Sequence, residues 1–242
     1  MIRSAYSIKL VKLAGLLRNS SFRSALLRHR VAAATEHLDA IRLCAPATLL
    51  DVGANKGQFS TAVRMLFPKA IIAAFEPLPS AVERFAALFL GDARVTLNRI
   101  AIGAVETDAI FYVTDREDSS SLLPPGAGQK AAFGVAAVDH IDVQVRPLDN
   151  AIDLEGLPHP VMLKIDVQGA ELDVLRGISE FDHIDFVYVE LSFVELYNGQ
   201  ALFEDVRSYL VARGFKLRGV FNQVYTEKFG PTQADCLFAR AI

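Results

Sequence analysis

From residue 46 onward, short apolar runs alternate with stretches in which apolar residues recur every three or four positions. Runs of the first kind, near 47–52, 70–75, 94–98, 109–114, 140–146, 161–165, 185–191, 215–221 and 233–240, predict strands. Stretches of the second kind predict helices over 57–67, 79–90, 168–177 and 200–213. Such alternation predicts an α/β fold, a mostly parallel sheet with helices on both faces. Phe193, Leu196, Phe203, Tyr209, Leu210 and Phe215 recur at helical spacing and predict core. One segment breaks the rhythm. Between Asp115 and Ala137, Ser119-Ser120-Ser121, Pro124-Pro125, Gly126 and Gly128 predict a long loop, and long ordered loops in compact domains often cover ligands.

The chain has 242 residues, 52% hydrophobic and 22% charged, enough for one large domain, predicted over 46–242, with an extension at 1–45. Cys44 and Cys236 stand far apart, outside any CxxC or Cys/His cluster, which predicts a reduced, cytoplasmic protein without a disulfide framework or zinc site. A net charge of -3 conceals an asymmetry. The first thirty residues carry Arg3, Lys9, Lys12, Arg18, Arg23, Arg28 and Arg30 and no acid, leaving 18 bases against 28 acids in the remainder. With Ile8, Leu10, Val11, Leu13, Leu16 and Leu17, this end predicts a basic amphipathic helix, too short and too charged to span a bilayer. Two placements stay open for it: packing on its own domain or a second copy in a homo-oligomer, or peripheral contact with an anionic membrane. An acidic body without aromatics interleaved among bases argues against nucleic acid.

The chemistry gathers where strands end. Leu49-Leu50-Asp51-Val52-Gly53-Ala54-Asn55-Lys56-Gly57-Gln58-Phe59 is an apolar run closing on an acid and a glycine-flanked turn, and 71–75 is a second run closing on Glu76. This layout suits an adenosine ligand: glycines let the backbone approach it, and a carboxylate at the second strand tip accepts the ribose hydroxyls. A dinucleotide needs G-x-G-x-x-G, with its pyrophosphate on a helix N-terminus. D-x-G-x-N-x-G instead puts Asp51 where phosphates would sit, and favours a ligand with a cationic amino acid end, S-adenosylmethionine. On this reading Gly53, Asn55, Gly57 and Phe59 flank the methionine part, Glu76 holds the ribose, and Asn98, Ala101 and Ile102 neighbour the adenine. A nicotinamide-dependent oxidoreductase and a non-catalytic adenosine-binding protein are the alternatives.

If such a ligand delivers its methyl group, the acceptor must lie close and in line, and an acceptor that carries a proton needs a group to draw it off. Asp166, at the end of the predicted strand 161–165, is the leading base, since in open parallel sheets that end faces the ligand. Lys164 lies two residues earlier on the same side, placed to pair with Asp166 or to orient the acceptor. Glu171 and Glu190 are the other candidates around the pocket. Glu171 has a second reading, as a favourable charge early in its helix or in a strand-to-helix ion pair with Lys164. Asp166 and Glu190 end adjacent strands and repel unless a cation, a proton or a ligand lies between them. A divalent metal is compatible with that pair but not required, and no metal ligand set can be identified. Tyr197-Asn198-Gly199 has two readings, an acceptor wall and a turn; the five histidines, among them His37, are scattered.

Leu50-Asp51-Val52-Gly53-Ala54-Asn55-Lys56-Gly57-Gln58-Phe59, Phe75-Glu76-Pro77, Ser120-Ser121-Leu122, Leu163-Lys164-Ile165-Asp166-Val167-Gln168-Gly169-Ala170-Glu171 and Val189-Glu190-Leu191 together resemble the FkbM family of S-adenosylmethionine-dependent methyltransferases. The likeness covers roughly 46–221, and the K-I-D-V-Q-G-A-E block is its most distinctive part. It implies a Rossmann-like class I methyltransferase sheet of seven strands with a reversed last hairpin. It also implies O-methylation of a small-molecule or glycan acceptor, such as a sugar, a polysaccharide precursor or a secondary metabolite.

Overall fold

The structure, a computed structural model, describes residues 31–240. The basic amphipathic helix read over the first thirty residues, with its membrane or subunit contact, lies outside them.

The central sheet is built from β1 (Thr48–Val52), β2 (Ile71–Phe75), β3 (Val95–Asn98), β7 (Val161–Ile165), β8 (Phe186–Ser192), β9 (Phe215–Thr226) and β10 (Gly230–Arg240), in the order β3-β2-β1-β7-β8-β10-β9. β1, β2, β3, β7 and β8 pair in parallel, and β10 runs antiparallel to both β8 and β9. This is the seven-stranded sheet with a reversed last hairpin that the family resemblance implies. β1 and β7 are buried at every position. Parallel strands covered by helices on both faces need such continuous apolar runs.

Helices α1 (Leu38–Cys44), α2 (Gln58–Leu66), α3 (Pro79–Leu88), α4 (Ala127–Phe133), α5 (Leu148–Ala151), α6 (Glu171–Arg176) and α7 (Phe203–Val211) pack around the sheet. Proline stands in the first turn of α3, where its missing N–H would have no partner in any case. Residues 38–44 belong to the same core as the sheet. Ala40, Ile41 and Cys44 pack with Leu49, Ala62, Met162 and Tyr188, and the Ala34 N–H donates to the Gln58 carbonyl.

Two sequence expectations change. The runs at 109–114 and 140–146 leave the main sheet: with Ala101–Ile102 (β4) they form a separate three-stranded sheet, in which Ala137–Arg146 (β6) lies between β4 and Thr107–Thr114 (β5). It is covered on one side through Phe111, Val143 and Val145, which pack on Leu78 and Ala81. The segment read as a loop between Asp115 and Ala137 holds a 3-10 turn at Glu117–Ser119 as well as α4. It is fastened at several points. Tyr112 and Ser121 exchange backbone hydrogen bonds, Gly126 donates to the Leu196 carbonyl, and Asn198 donates to that of Pro124.

Candidate active site

A cleft of about 440 Å³ opens over the C-terminal ends of β1, β2, β7 and β8. Strand ends in a parallel sheet leave backbone groups and the following loops unpaired, so ligands collect there.

Gly53, Ala54, Asn55, Glu76, Leu78, Ile100, Ala101 and Ile102 line one half. Gly53 has φ +73°, and a Cβ there would collide with the Asp166 carbonyl oxygen, so only glycine keeps the β1 turn against β7. Glu76 is 6% exposed and accepts from the N–H groups of Asn55 and Leu78, one on each carboxylate oxygen at 2.8 Å. Each oxygen keeps a second lone pair. Burial pushes the Glu76 carboxyl up to about 7 against the pull of those two donors and of the Lys164 charge. Phe59 is buried, lines the cleft and stacks on Tyr188.

Three residues assigned to this half from the sequence lie elsewhere. Asn98 turns its amide to the Ala74 carbonyl and is absent from the cleft wall. Gly57, φ +86°, caps α2, and a Cβ there would press on Phe85 and Phe89; its work is helix packing. Asp51 is fully buried beneath the cleft and faces protein groups, so it does not present a bare charge to the ligand. Ser60 Oγ donates to its Oδ2 at 2.6 Å, while Oδ1 has no aligned hydrogen bond and is met by the Lys164 ammonium 3.2 Å away.

Lys164 has other partners as well. Its Nζ donates to the Gly53 carbonyl at 2.6 Å and the Val52 carbonyl at 3.4 Å, and lies 3.7 Å from Asp166 Oδ2. Burial works to lower its pKa, but the charges of Asp51 and Asp166 outweigh this and raise it, so the ammonium stays charged.

Asp166, Glu190 and Asp235 form a row on the other half of the cleft, because Glu190 and Asp235 are register partners of β8 and β10 and Asp166 follows β7. The repulsion between Asp166 and Glu190 is relieved by an amide: Gln168 Nε2 donates to Asp166 Oδ1 at 2.7 Å and to Glu190 Oε2 at 2.9 Å. Gln233 adds a third donor at 3.0 Å. Burial, then the neighbouring Asp166 charge, holds Glu190 well above the usual carboxylate range. Among the described residues no group of three or more His, Cys, Asp or Glu side chains is placed to hold a metal ion.

Glu171 stays out of the cleft, and no ion pair joins it to Lys164. It is buried at the start of α6, accepts the Gly169 N–H at 2.9 Å, and is pushed up to about 7 by burial. Tyr197 is likewise no acceptor wall. Fully buried, it packs on Gly169, donates to the Ser119 carbonyl at 2.8 Å and accepts from Gln129 at 3.0 Å, with Gln168 Oε1 also at 3.0 Å. It thereby holds the Gln168 amide under the two acids.

Sequence reasoning missed the wall beyond Glu190. His37 Nδ1 lies 2.9 Å from the Tyr188 hydroxyl and 3.2 Å from Asp235 Oδ2, and Asn222 donates to the same Asp235 oxygen at 2.8 Å. Asp235 carried a signal, a lone acid inside the apolar run of β10. His37 carried none, since only the fold brings the start of the described chain against its last strand.

Residues 51–217 match the family described as Methyltransferase FkbM domain. The chain is 28% identical over 210 residues to Methyltransferase sdnD of Sordaria araneosa, covering 76% of this chain and 79% of that protein. Identity to 2-O-methyltransferase NoeI of Sinorhizobium fredii is 31% over 160 residues, 63% of this chain and 66% of NoeI. Hexuronic acid methyltransferase AglP of Haloferax volcanii is 25% identical over 144 residues, 59% of this chain and 55% of AglP. His37, Asn222, Gln233 and Asp235 lie outside the matched span.

Proposed function

We propose, from the premise that this chain belongs to the FkbM methyltransferase family, that it moves a methyl group from S-adenosylmethionine to a hydroxyl oxygen of a small-molecule or glycan acceptor. The observation that carries the cofactor is Glu76. A buried carboxylate whose oxygens each keep a free lone pair at the tip of β2, beside the apolar Leu78, Ile100, Ala101 and Ile102, fits a ribose with its adenine. The turn at Gly53, with no room for a Cβ, fits the close approach of the amino acid end. Family membership displaces the dehydrogenase and non-catalytic readings.

When bound, S-adenosylmethionine supplies an electrophilic methyl on a sulfonium. The chain's own part is to hold the acceptor and take its proton. Asp166, on the cleft wall, takes the proton from the acceptor hydroxyl, and Gln168 fixes the orientation of its carboxylate. Glu190, on the same wall and held by Gln168 and Gln233, is placed to hydrogen-bond a second oxygen of the acceptor. An oxygen acceptor is supported by the similarity to the 2-O-methyltransferase NoeI, and a sugar acceptor by that to the hexuronic acid methyltransferase AglP.

Titration of the purified protein with S-adenosylmethionine in a calorimeter tests the donor, and absence of binding removes the proposal. Asp166→Asn should lower methyl transfer from labelled donor to a panel of hydroxylated sugars by roughly a hundredfold or more. Its cofactor affinity should stay within about threefold of the unmutated chain. Retained turnover would move the proton to another group.

A further inference from the structure

The family reading leaves one group without a role: a lysine in the floor of the cleft, 6% exposed, with every polar partner on the chain itself. A buried ammonium is costly unless paired and fully hydrogen-bonded. Lys164 meets that condition by drawing together backbone and side-chain groups from β1 and β7. One partner, Gly53, just after β1, is the residue that the Asp166 carbonyl forces to be glycine. The ammonium therefore grips the same turn that the missing Cβ lets close.

Resting on the cofactor reading above, we propose that Lys164 is a positioning residue for the donor: it fixes the Val52 and Gly53 carbonyls and the Asp51 carboxylate so that the β1 turn can receive the amino acid end of S-adenosylmethionine. Its hydrogen bonds are separate from those of Glu76, which sits at the tip of β2, is held by Asn55 and Leu78, and feels Lys164 only through its charge. The two ends of the cofactor are thus governed by different residues. Loss of the ammonium frees the carbonyl pair and leaves Asp51 with only Ser60. The turn then relaxes at Val52 and Gly53, while Glu76 keeps its Leu78 donor on β2's side.

The separation gives a test that needs no acceptor. S-adenosylmethionine and S-adenosylhomocysteine carry the amino acid end, whereas 5′-methylthioadenosine carries only the adenosine and a short thioether. Lys164→Met keeps most of the length of the side chain and removes the charge. The double variant Lys164→Met/Asp51→Asn also removes the stranded carboxylate charge, so it separates loss of the clamp from the cost of a buried unpaired anion.

By calorimetry, with folding checked by circular dichroism, both variants should bind the two amino acid ligands at least tenfold more weakly than the unmutated chain. Binding of 5′-methylthioadenosine should weaken several-fold less, by no more than the loss of the Lys164 charge near Glu76 explains. Equal weakening of all three ligands, unchanged binding of all three, or failure of both variants to fold would overturn the proposal. Absence of S-adenosylmethionine binding by the unmutated chain would instead overturn the cofactor reading on which it rests.

Discussion

At the scale of single residues, Glu76 ties the site to pH. An acid whose ordinary pKa of 4.5 is raised to about 7 gains its charge across neutrality, and the ionised form is the stronger acceptor for a ribose diol. S-adenosylmethionine affinity should therefore rise between about pH 6 and pH 8, and calorimetry on Glu76→Gln should show weaker binding with that rise gone. Gly53→Ala meets both a left-handed backbone and the Asp166 carbonyl, and should lower stability by about 3 kcal/mol in denaturant titration. Both residues were legible in the sequence because strand-end acids and turn glycines announce themselves locally. Asp51 was legible as a residue but not as a partner: its spacing gave the strand tip, while its neutralisation by Lys164 needs two strands side by side.

At the scale of elements, the strand and helix pattern gave the sheet nearly whole, because continuous apolar runs permit little besides buried parallel strands. It failed over 115–137, where serine, proline and glycine hide α4 and the backbone ties to 196–198. Local composition cannot report hydrogen bonds to residues so distant in sequence. Tyr197 is the chief side-chain tie, joining Ser119, Gln129 and Gln168. Tyr197→Phe strands buried polar partners and should cost about 1–3 kcal/mol in thermal or chemical unfolding. It should also speed amide exchange at 117–129, and unchanged exchange there would show that the backbone ties alone hold the segment.

At the scale of the whole molecule, the protein's stability depends on acids it has buried. Glu76 and Glu171, both raised to about 7, and Glu190, raised well above its ordinary value, bind protons in the folded state that the unfolded chain has already released. The contribution of Glu76 and Glu171 is complete below the ordinary value of 4.5 and is lost as pH rises through about 7. The ligand-free protein should therefore melt at a lower temperature at about pH 8 than at about pH 5. A melting temperature that rises over this range would show that the acids are ionised at little cost.

The position of β10 carries a consequence for how the protein is made. This strand leaves the ribosome after β9 yet is inserted between β8 and β9, bringing Asp235 beside Glu190 and beneath His37. A nascent chain that has already released β1, β2, β7 and β8 has the Glu76 half of the cleft while the wall beyond Glu190 is still being synthesised. Until Gly230–Arg240 arrives, the open flank of β8 is an unpaired edge through the middle of the sheet. Early release from the ribosome should therefore yield an aggregating chain, not a slow enzyme.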